Sequence, residues 1–268
     1  MTYKMLVTDM DDTLLNDDLE ISYENEEAIK KAMEKGVRVV LCSGRSTTSM
    51  DKYLEQLNLK EKGQYGISCN GAVIFDTITL EPVEQESLSR EYAKYLFSFA
   101  KDRGLHIQTY QNHDLIVERK NEYTDMYADI TGTKPVEVGD LLSWIKEDVL
   151  KVLIQDNHEK LLEVAKELEN WVKGKAHMYF SKPFYLEFTS MNANKGLFVK
   201  RLRQRLGFKK EEVICIGDSF NDLYMIEEGG LGIAVANAHP DIKKVADYVT
   251  HNDNNHHVMK EVIEKFIL

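Results

Sequence analysis

The chain has 268 residues, of which 43% are hydrophobic and 29% charged, which is typical of folded globular proteins. This length predicts one large domain or two smaller ones. The 45 acidic and 34 basic residues give a formal net charge of −11, which argues against general nucleic-acid binding because the chain repels phosphate backbones. No apolar run approaches the ~18 residues of a membrane-spanning helix, and the N-terminus lacks the features of a signal peptide. The sequence therefore predicts a cytoplasmic protein without nucleic-acid or membrane partners.

The first third of the chain alternates between strand and helix patterns. Short apolar runs rich in β-branched residues indicate strands that are buried on both faces. An Asn-Gly pair at 70–71 predicts a tight turn between the last two strands of this region. The predicted strands are Met5–Asp9, Val37–Cys42, Tyr65–Cys69 and Ala72–Phe75, and the predicted helices are Ser22–Lys35 and Thr47–Leu57.

The last third of the chain repeats this alternation. Its predicted strands are Val213–Ile216, Leu231–Val235 and Tyr248–Thr250, and its predicted helices are Asn194–Leu206, Asp222–Glu228, one that starts at Pro240, and Val258–Phe266. The polar stretch with His256 and His257 predicts a solvated loop before the last helix. Strand and helix alternation at both ends predicts an α/β fold with a Rossmann-like, doubly wound parallel sheet.

The middle of the chain has a different pattern, with pairs of strands between helices. Its predicted helices are Ser89–Arg103, Glu122–Ile130 and Glu159–Trp171, and its predicted strands are His106–Tyr110, Leu115–Val117, Lys151–Ile154, His177–Ser181 and Tyr185–Thr189. This order predicts an inserted α+β domain with an antiparallel sheet. We expect residues 1–82 and 191–268 to form the core and residues 83–190 the inserted domain, with linkers near 76–84 and 190–194.

The first candidate site follows the first predicted strand. Residues two apart in an extended chain point the same way, so Asp9 and Asp11 can face one centre while Met10 faces away. Two neighbouring carboxylates repel each other unless a cation or a shared proton lies between them. Taken alone, this short motif is more often an acidic loop than a catalytic site.

Two further candidates could bind an anion. Ser43, Gly44 and Arg45 follow the second strand, where a hydroxyl and backbone N–H groups at a helix start can bind an anion or simply cap the helix. Lys195 opens a predicted helix, where a positive charge is unfavourable, and this cost suggests a functional role. A surface lysine is the ordinary alternative.

The fourth candidate site is the segment Gly217-Asp218-Ser219-Phe220-Asn221-Asp222. It lies at a strand-to-helix junction, and its two carboxylates four residues apart suit a hard cation that prefers oxygen ligands. The ordinary alternative is a helix cap. Each of the four candidates falls where a predicted strand ends, and ligands of open α/β sheets bind beyond the carboxyl ends of the strands.

Together and in this order, the four motifs resemble those of the haloacid dehalogenase superfamily of aspartyl phosphatases. The motifs are DMDDT at 9–13, SGR at 43–45, Lys195-Gly196 and GDSFND at 217–222. Within that superfamily the chain resembles the Cof-type branch, which has a large type-II cap inserted after the third core strand. Asn70-Gly71-Ala72 and the segment 232–238 add to the resemblance.

The resemblance implies a role for each residue. Asp9 would be the nucleophile and Asp11 the general acid and base, protonated at first, with a pKa that nearby carboxylates could raise. Mg²⁺ would be held by Asp9, the main-chain carbonyl of Asp11 and Asp218, with Asp222 orienting these ligands. The phosphoryl group would be bound by Ser43, Lys195, Asn221 and the N–H groups of Met10 and Gly44, with Thr13 and Arg45 in support.

The implied function is an Mg²⁺-dependent phosphatase that acts on small phosphorylated metabolites, with sugar phosphates as the leading class. Three alternatives stay open: a phosphomutase of the same superfamily, a non-catalytic sensor of a phosphorylated ligand, and a phospho-acceptor signalling module. Cap residues would set the substrate, and the sequence indicates neither the substrate nor the oligomeric state.

Overall fold

A computed structural model describes residues 2–111 and 114–268 of the chain. The chain divides into two compact units. One combines the residues up to Glu84 with Lys195–Leu268, and the other is Gln85–Asn194. The boundary after Glu84 lies two residues later than the expected one after residue 82, and the boundary after Asn194 lies four residues later than the expected one after residue 190. Among the described residues, no helix combines the length and the apolar character needed to cross a bilayer.

The elements follow one another along the chain. The strands are β1 Met5–Thr8, β2 Arg38–Leu41, β3 Tyr65–Ser68, β4 Val73–Asp76, β5 Pro82–Gln85, β6 His106–Gln111, β7 Asp114–Val117, β8 Pro135–Glu137, β9 Val152–Gln155, β10 Ala176–Lys182, β11 Tyr185–Ser190, β12 Val213–Gly217, β13 Leu231–Ala234 and β14 Tyr248–Val249. The α-helices are α1 Tyr23–Glu34, α2 Asp51–Gln56, α3 Arg90–Asp102, α4 Glu122–Thr131, α5 Leu141–Trp144, α6 His158–Val172, α7 Lys195–Arg205, α8 Leu223–Glu228, α9 Pro240–Val245 and α10 Val258–Phe266.

A parallel sheet of five strands forms the centre of the first unit. Its order is β14-β13-β12-β1-β2, and every neighbouring pair is parallel. Met5, Leu6 and Val7 in β1 are fully buried, as expected for a central strand covered on both faces. Because β1 and β12 are neighbours, the segments after Thr8 and Gly217 leave the sheet side by side. The structure confirms the α/β parallel core.

A small second sheet, in the order β3-β4-β5, extends the first unit. A parallel bridge between Cys42 and Ile67 joins β3 to the end of β2. Strand β5 overlaps the end of the segment 76–84 that the sequence predicts as a linker. Its sequence, PVEQ, contains a single aliphatic residue, so pairing with β4 rather than composition creates this strand.

The second unit is an α+β fold, as the sequence predicts. Its six strands lie in the order β10-β11-β9-β6-β7-β8, and all pairs are antiparallel except β7 with β8. Apolar residues of helices α3 and α6 pack with those of the strands in one buried cluster. Strand β8 and helix α5 are absent from the sequence prediction because segments of three or four residues carry almost no periodic pattern.

One helix of the first unit forms differently from the prediction. The sequence predicts a helix over Thr47–Leu57, but the structure has a 3₁₀ turn at Thr48–Met50 followed by α2 at Asp51–Gln56. Thr47, Thr48 and Ser49 favour local hydrogen bonds over helix propagation. The Ser49 hydroxyl donates to the Ser46 carbonyl over 2.9 Å, which fits this explanation.

A buried ion pair crosses the sheet of the second unit. Lys151 Nζ lies 2.7 Å from Glu187 Oε2, and the two side chains are 1% and 4% exposed. The Ser181 hydroxyl also donates to Glu187, and Lys151 Nζ lies 4.8 Å from the centre of the Tyr110 ring. A buried pair of this kind is stable only while both charges are present.

We expect Lys151→Met to lower the free energy of unfolding by about 3–5 kcal/mol, because it leaves the Glu187 carboxylate buried without its cation. The double variant Lys151→Met/Glu187→Leu should recover most of this loss. Urea denaturation followed by circular dichroism measures both. A single variant as stable as the unmodified protein would contradict this account of the pair.

Candidate active site

Asp9 lies directly after the central strand β1. Its N–H donates to the Ile216 carbonyl over 2.9 Å, which attaches the residue to β12. A single wide turn over Met10–Leu14 follows. The Leu15 N–H closes this turn by donating a hydrogen bond to the Met10 carbonyl over 2.8 Å. Asp12 in this turn has a left-handed φ of 59°. The turn reverses the chain and holds the 5% exposed Asp9 carboxylate at the sheet edge.

Lys195 is the buried cation of the site. Its side chain is 0% exposed, and Nζ lies 2.7 Å from Asp9 Oδ1 and 2.6 Å from Asp222 Oδ1. Burial opposes the positive charge, but the carboxylates of Asp222 and Asp9 outweigh it and keep the pKa of the ammonium well above its ordinary value. The structure therefore rules out the surface lysine that the sequence left as an alternative.

Close packing of α7 on α8 brings Lys195 to these carboxylates. A Cβ atom on Gly196 would lie 2.2 Å from the Tyr224 carbonyl oxygen, so only glycine permits the observed approach of the two helices. This explains why glycine follows the lysine in the sequence.

Asp222 organises the segment after β12. Its Oδ2 accepts the N–H groups of Asp218 and Ser219 at 3.0 and 3.1 Å, while its Oδ1 accepts Lys195. A Cβ on Gly217 would lie 2.6 Å from the Asp222 side chain, which leaves room for glycine alone. Both Asp222 oxygens already have donors, so this residue orients the loop and the lysine.

Three carboxylates form a candidate metal centre. Asp9, Asp218 and Asp222 each offer an oxygen, and these oxygens all lie within 4.8 Å of one another. Thr13 donates its hydroxyl to Asp218 Oδ1 over 2.9 Å, which fixes that side chain. A set of carboxylate oxygens fits a hard cation such as Mg²⁺.

The electrostatics of this cluster also fit a cation. Burial, with the charge of Asp222 as the second cause, raises the pKa of Asp9 to about 7. Burial and the charges of Asp222 and Asp9 raise the pKa of Asp218 well above its ordinary value. The positive charge of Lys195 therefore does not fully neutralise the negative charge of these carboxylates. A divalent cation among them would favour their ionised forms.

Asp11 has a different neighbour from the expected one. Arg45 donates Nε and Nη2 to the two oxygens of Asp11 at 2.9 and 2.8 Å, and the arginine side chain is 2% exposed. The sequence led us to expect an initially protonated Asp11 beside carboxylates. The bidentate pair with a guanidinium instead favours the ionised carboxylate in this arrangement.

The segment Ser43–Arg45 is a bend several residues before α2 and not the start of a helix, contrary to the prediction. The Ser43 hydroxyl accepts the Arg45 N–H over 3.1 Å, and the Ser43 N–H donates to the Ile67 carbonyl over 2.9 Å. These bonds attach the bend to the end of β3, so the neighbouring sheet rather than a helix dipole shapes it.

Asn221 contacts a residue that the sequence analysis did not place in the site. Its Nδ2 donates to Asn70 Oδ1 over 3.0 Å. Its own Oδ1 is buried and accepts no hydrogen bond from any described residue. The sequence indicates a turn at Asn70-Gly71 and includes this pair in the resemblance, but an Asn-Gly pair ordinarily indicates nothing beyond a turn.

Two more asparagines support the wide turn after Asp9. Asn237 donates to the Asp12 carbonyl over 2.7 Å, and Asn254 donates to the Leu15 carbonyl over 3.2 Å. The sequence predicts a solvated loop at His256 and His257, and His256 is exposed, but Asn254 two residues earlier is only 5% exposed. Its partner lies 239 residues away along the chain, and no local pattern reveals such a bond.

The structure thus brings most of the expected residues together. Asp9, Lys195, Asp222, Asp218 and Thr13 form one connected set of hydrogen bonds and ion pairs. Asp11 pairs with Arg45, and Ser43 contacts the backbone of that arginine. Gly44 lies against the Asn70 amide that binds Asn221. Met10 is buried in the turn.

Comparison with known proteins identifies the family. The sequence model of the haloacid dehalogenase-like hydrolases matches residues 6–262. The Bacillus subtilis protein named "Putative phosphatase YxeH" is 35% identical over 266 residues, which cover 98% of each chain. The 5-amino-6-(5-phospho-D-ribitylamino)uracil phosphatase YcsE of the same species is 29% identical over 262 residues, 97% of this chain and 94% of its own.

Solved structures agree with this match. The crystal structure of a haloacid dehalogenase-like hydrolase from Bacteroides thetaiotaomicron has a TM-score of 0.88 and 34% identity, covering 98% of this chain and 99% of its own. TM0651 from Thermotoga maritima has a TM-score of 0.85 and 32% identity, with 100% and 98% covered. The fold, the acidic cluster and these similarities lead to one conclusion: the chain belongs to the haloacid dehalogenase-like hydrolases, in their Cof-type branch, and is a phosphatase.

Proposed function

We propose that the protein hydrolyses small phosphorylated metabolites, with sugar and polyol phosphates as the leading class, through a phosphorylated Asp9 and with Mg²⁺ bound. The observation that carries this proposal is the set of contacts around Asp9. A buried ammonium lies on one carboxylate oxygen at 2.7 Å, and two further carboxylates lie within reach of a shared cation. Phosphoryl transfer needs positioned positive charge around a nucleophile more than any other catalytic device.

In the first step, the ionised Asp9 carboxylate attacks phosphorus, and the bond from phosphorus to the leaving oxygen breaks. Asp11 gives its proton to that oxygen, so the leaving group departs as an alcohol. Lys195 offsets the negative charge of the transferring group. It also holds Asp9 in place, since its Nζ lies between Asp9 and Asp222.

In the second step, water attacks the phosphorus of the aspartyl phosphate. Asp11 takes a proton from that water, the bond between phosphorus and Asp9 breaks, and inorganic phosphate leaves. The Asp9 carboxylate is thus the nucleophile of the first step and the leaving group of the second, and two easier steps replace one difficult displacement. Ser43, Asn221 and the N–H groups of Met10 and Gly44 would bind the phosphoryl oxygens throughout.

Asp9, Asp218 and the Asp11 carbonyl would hold Mg²⁺, with Asp222 orienting its neighbours. Bound there, the ion supplies positive charge that neutralises the phosphoryl oxygens. It also favours the ionised form of Asp9, whose pKa without it is raised to about 7 by burial and by Asp222. A mostly protonated Asp9 would be a poor nucleophile.

The substrate class rests on chemistry and on one relative. The site offers charge for a phosphate monoester, and the chain as a whole is too acidic to favour nucleic acid. The relative YcsE carries a name that specifies a phosphorylated ribityl chain, which is a polyol phosphate. We therefore expect polyol and sugar phosphates to rank first in a panel of phosphorylated metabolites.

We expect Asp9→Asn to lower the rate of phosphate release at least about 10³-fold, because an amide oxygen cannot form the phosphorylated intermediate. Phosphate release from the metabolite panel and from p-nitrophenyl phosphate measures this loss. Acid-quenched unmodified enzyme should carry a labelled phosphoryl group that the variant lacks. Asp51→Asn, at an acid that pairs with Lys60 outside the cluster, is the control and should keep full activity. A folded Asp9→Asn enzyme with near-full turnover would rule out this nucleophile.

We expect Asp11→Asn to lower kcat/KM for alkyl phosphates by about 10²–10⁴-fold, the usual contribution of a general acid. For p-nitrophenyl phosphate the loss of kcat/KM should be much smaller, because nitrophenolate leaves without a proton. The comparison uses kcat/KM because this parameter excludes the later hydrolysis step, where Asp11 acts as a base. Equal losses for both substrates would show that Asp11 does not protonate the leaving group.

We expect Mg²⁺ to raise the thermal unfolding midpoint of the protein and to be required for turnover. Asp218→Asn should reduce the Mg²⁺-induced shift, because it removes one proposed ligand, whereas Asp51→Asn should keep it. Differential scanning fluorimetry with Mg²⁺ or EDTA makes this measurement. Full turnover in EDTA, or an undiminished shift in Asp218→Asn, would disprove the proposed metal site.

A further inference from the structure

We infer that Asn70 is a positioning residue for the phosphoryl pocket: it orients the Asn221 amide and, through the same side chain, requires glycine at position 44. This inference rests on the proposed function, since the group that Asn221 and Gly44 would bind is the phosphoryl group. The residue lies on the turn between β3 and β4, and the resemblance gave it no role.

The backbone of this turn is unusual. Cys69, Asn70 and Gly71 follow one another with left-handed φ values of 51°, 58° and 81°. Glycine and asparagine tolerate this region, but cysteine adopts it at a conformational cost. Strained backbone of this kind persists only where the surroundings hold it, and it is concentrated at functional sites.

Hydrogen bonds attach the turn to the segment after β2. The Cys69 N–H donates to the Arg45 carbonyl over 2.9 Å, and the Asn70 N–H donates to the Ser43 carbonyl over 3.0 Å. These two bonds bracket Gly44. The backbone of the turn therefore has a fixed position relative to two of the proposed phosphate-binding residues.

The Asn70 side chain is 1% exposed and extends to the other half of the core. Its Oδ1 accepts one N–H of Asn221 Nδ2 over 3.0 Å, across 151 residues of sequence. This bond fixes the plane of the Asn221 amide and leaves the second N–H of the same nitrogen available to a phosphoryl oxygen. Asn221 Oδ1 is buried and has no hydrogen-bond partner among the described residues. The hydrogen bond to Asn70 is therefore the contact that orients the Asn221 amide.

The same amide explains Gly44. A Cβ at position 44 would lie 2.9 Å from Asn70 Oδ1 and 3.1 Å from Nδ2. The Asn70 amide is hydrogen-bonded to Asn221, so a methyl group at position 44 would displace the Asn70 amide from Asn221. Glycine at 44 and asparagine at 70 are thus a matched pair.

The test compares Asn70→Gly with Asn58→Gly in the full-length protein. Both positions have a left-handed φ, 58° at Asn70 and 55° at the exposed Asn58, so glycine fits each backbone and only the amide is lost. We expect Asn70→Gly to lower kcat/KM for p-nitrophenyl phosphate about 10- to 100-fold and to weaken inhibition by inorganic phosphate by a similar factor. The Mg²⁺ concentration for half-maximal activity should stay unchanged. Asn58→Gly should match the unmodified enzyme.

Two double variants separate positioning from a general structural role. If Asn70 acts through Asn221, Asn70→Gly/Asn221→Ala should be no less active than Asn221→Ala alone. If the amide excludes a side chain at 44, Gly44→Ala should lose activity in the unmodified background and lose much less in the Asn70→Gly background. Independent, multiplicative losses in both cycles would overturn the inference, and so would an Asn70→Gly enzyme that binds phosphate normally. An unmodified enzyme that releases no phosphate from any ester would instead contradict the proposed function.

Discussion

The site depends on one buried ammonium. Lys195 lies between Asp9 and Asp222 at 2.7 and 2.6 Å with no exposure to solvent, and a charge in that environment is stable only because both carboxylates are there. The requirement is mutual. Asp222 uses its second oxygen to shape the loop that carries Asp218, so the same ion pair fixes the proposed nucleophile and one side of the candidate metal centre. Asp9 follows β1, Asp222 follows β12 and Lys195 begins α7, so these three groups come together only in the folded core.

Glycines let the backbone come close enough for these contacts. Gly196 allows α7 to approach the Tyr224 carbonyl, and Gly217 leaves room for the Asp222 side chain. Residues with left-handed φ at Asp12 and Asn70 lie in the turns that follow β1 and β3. The carboxyl ends of the strands therefore meet at one edge with little space between their backbones, which is the arrangement that concentrates donors and charges around a small anion.

The sequence predicted the residues of the site better than their contacts. Strand patterns placed Asp9, Ser43 and Asp218 at strand ends, and parallel pairing then brought two of these ends together, as β1 and β12 show. The four motifs and their resemblance supplied the proposed roles. By contrast, the contacts of Asn70, Asn237 and Asn254 could not be predicted. Each residue bonds to a segment distant in sequence, and neither hydrophobic periodicity nor turn preference indicates such a bond. The predicted helix over Thr47–Leu57 is an α-helix only from Asp51 onwards, since hydroxyl side chains at its start bond locally.

The pairing of Asp11 with Arg45 constrains the proposed chemistry. A carboxylate held by two guanidinium bonds at 2.9 and 2.8 Å is a poor proton donor, so the acid step requires this pair to separate. A phosphate dianion is itself a bidentate partner for a guanidinium, and it brings negative charge to a cluster already rich in carboxylates. Both effects favour release of Asp11 and its protonation when substrate is bound. The substrate's own charge would then prepare the acid, whereas without substrate Arg45 would keep Asp11 ionised.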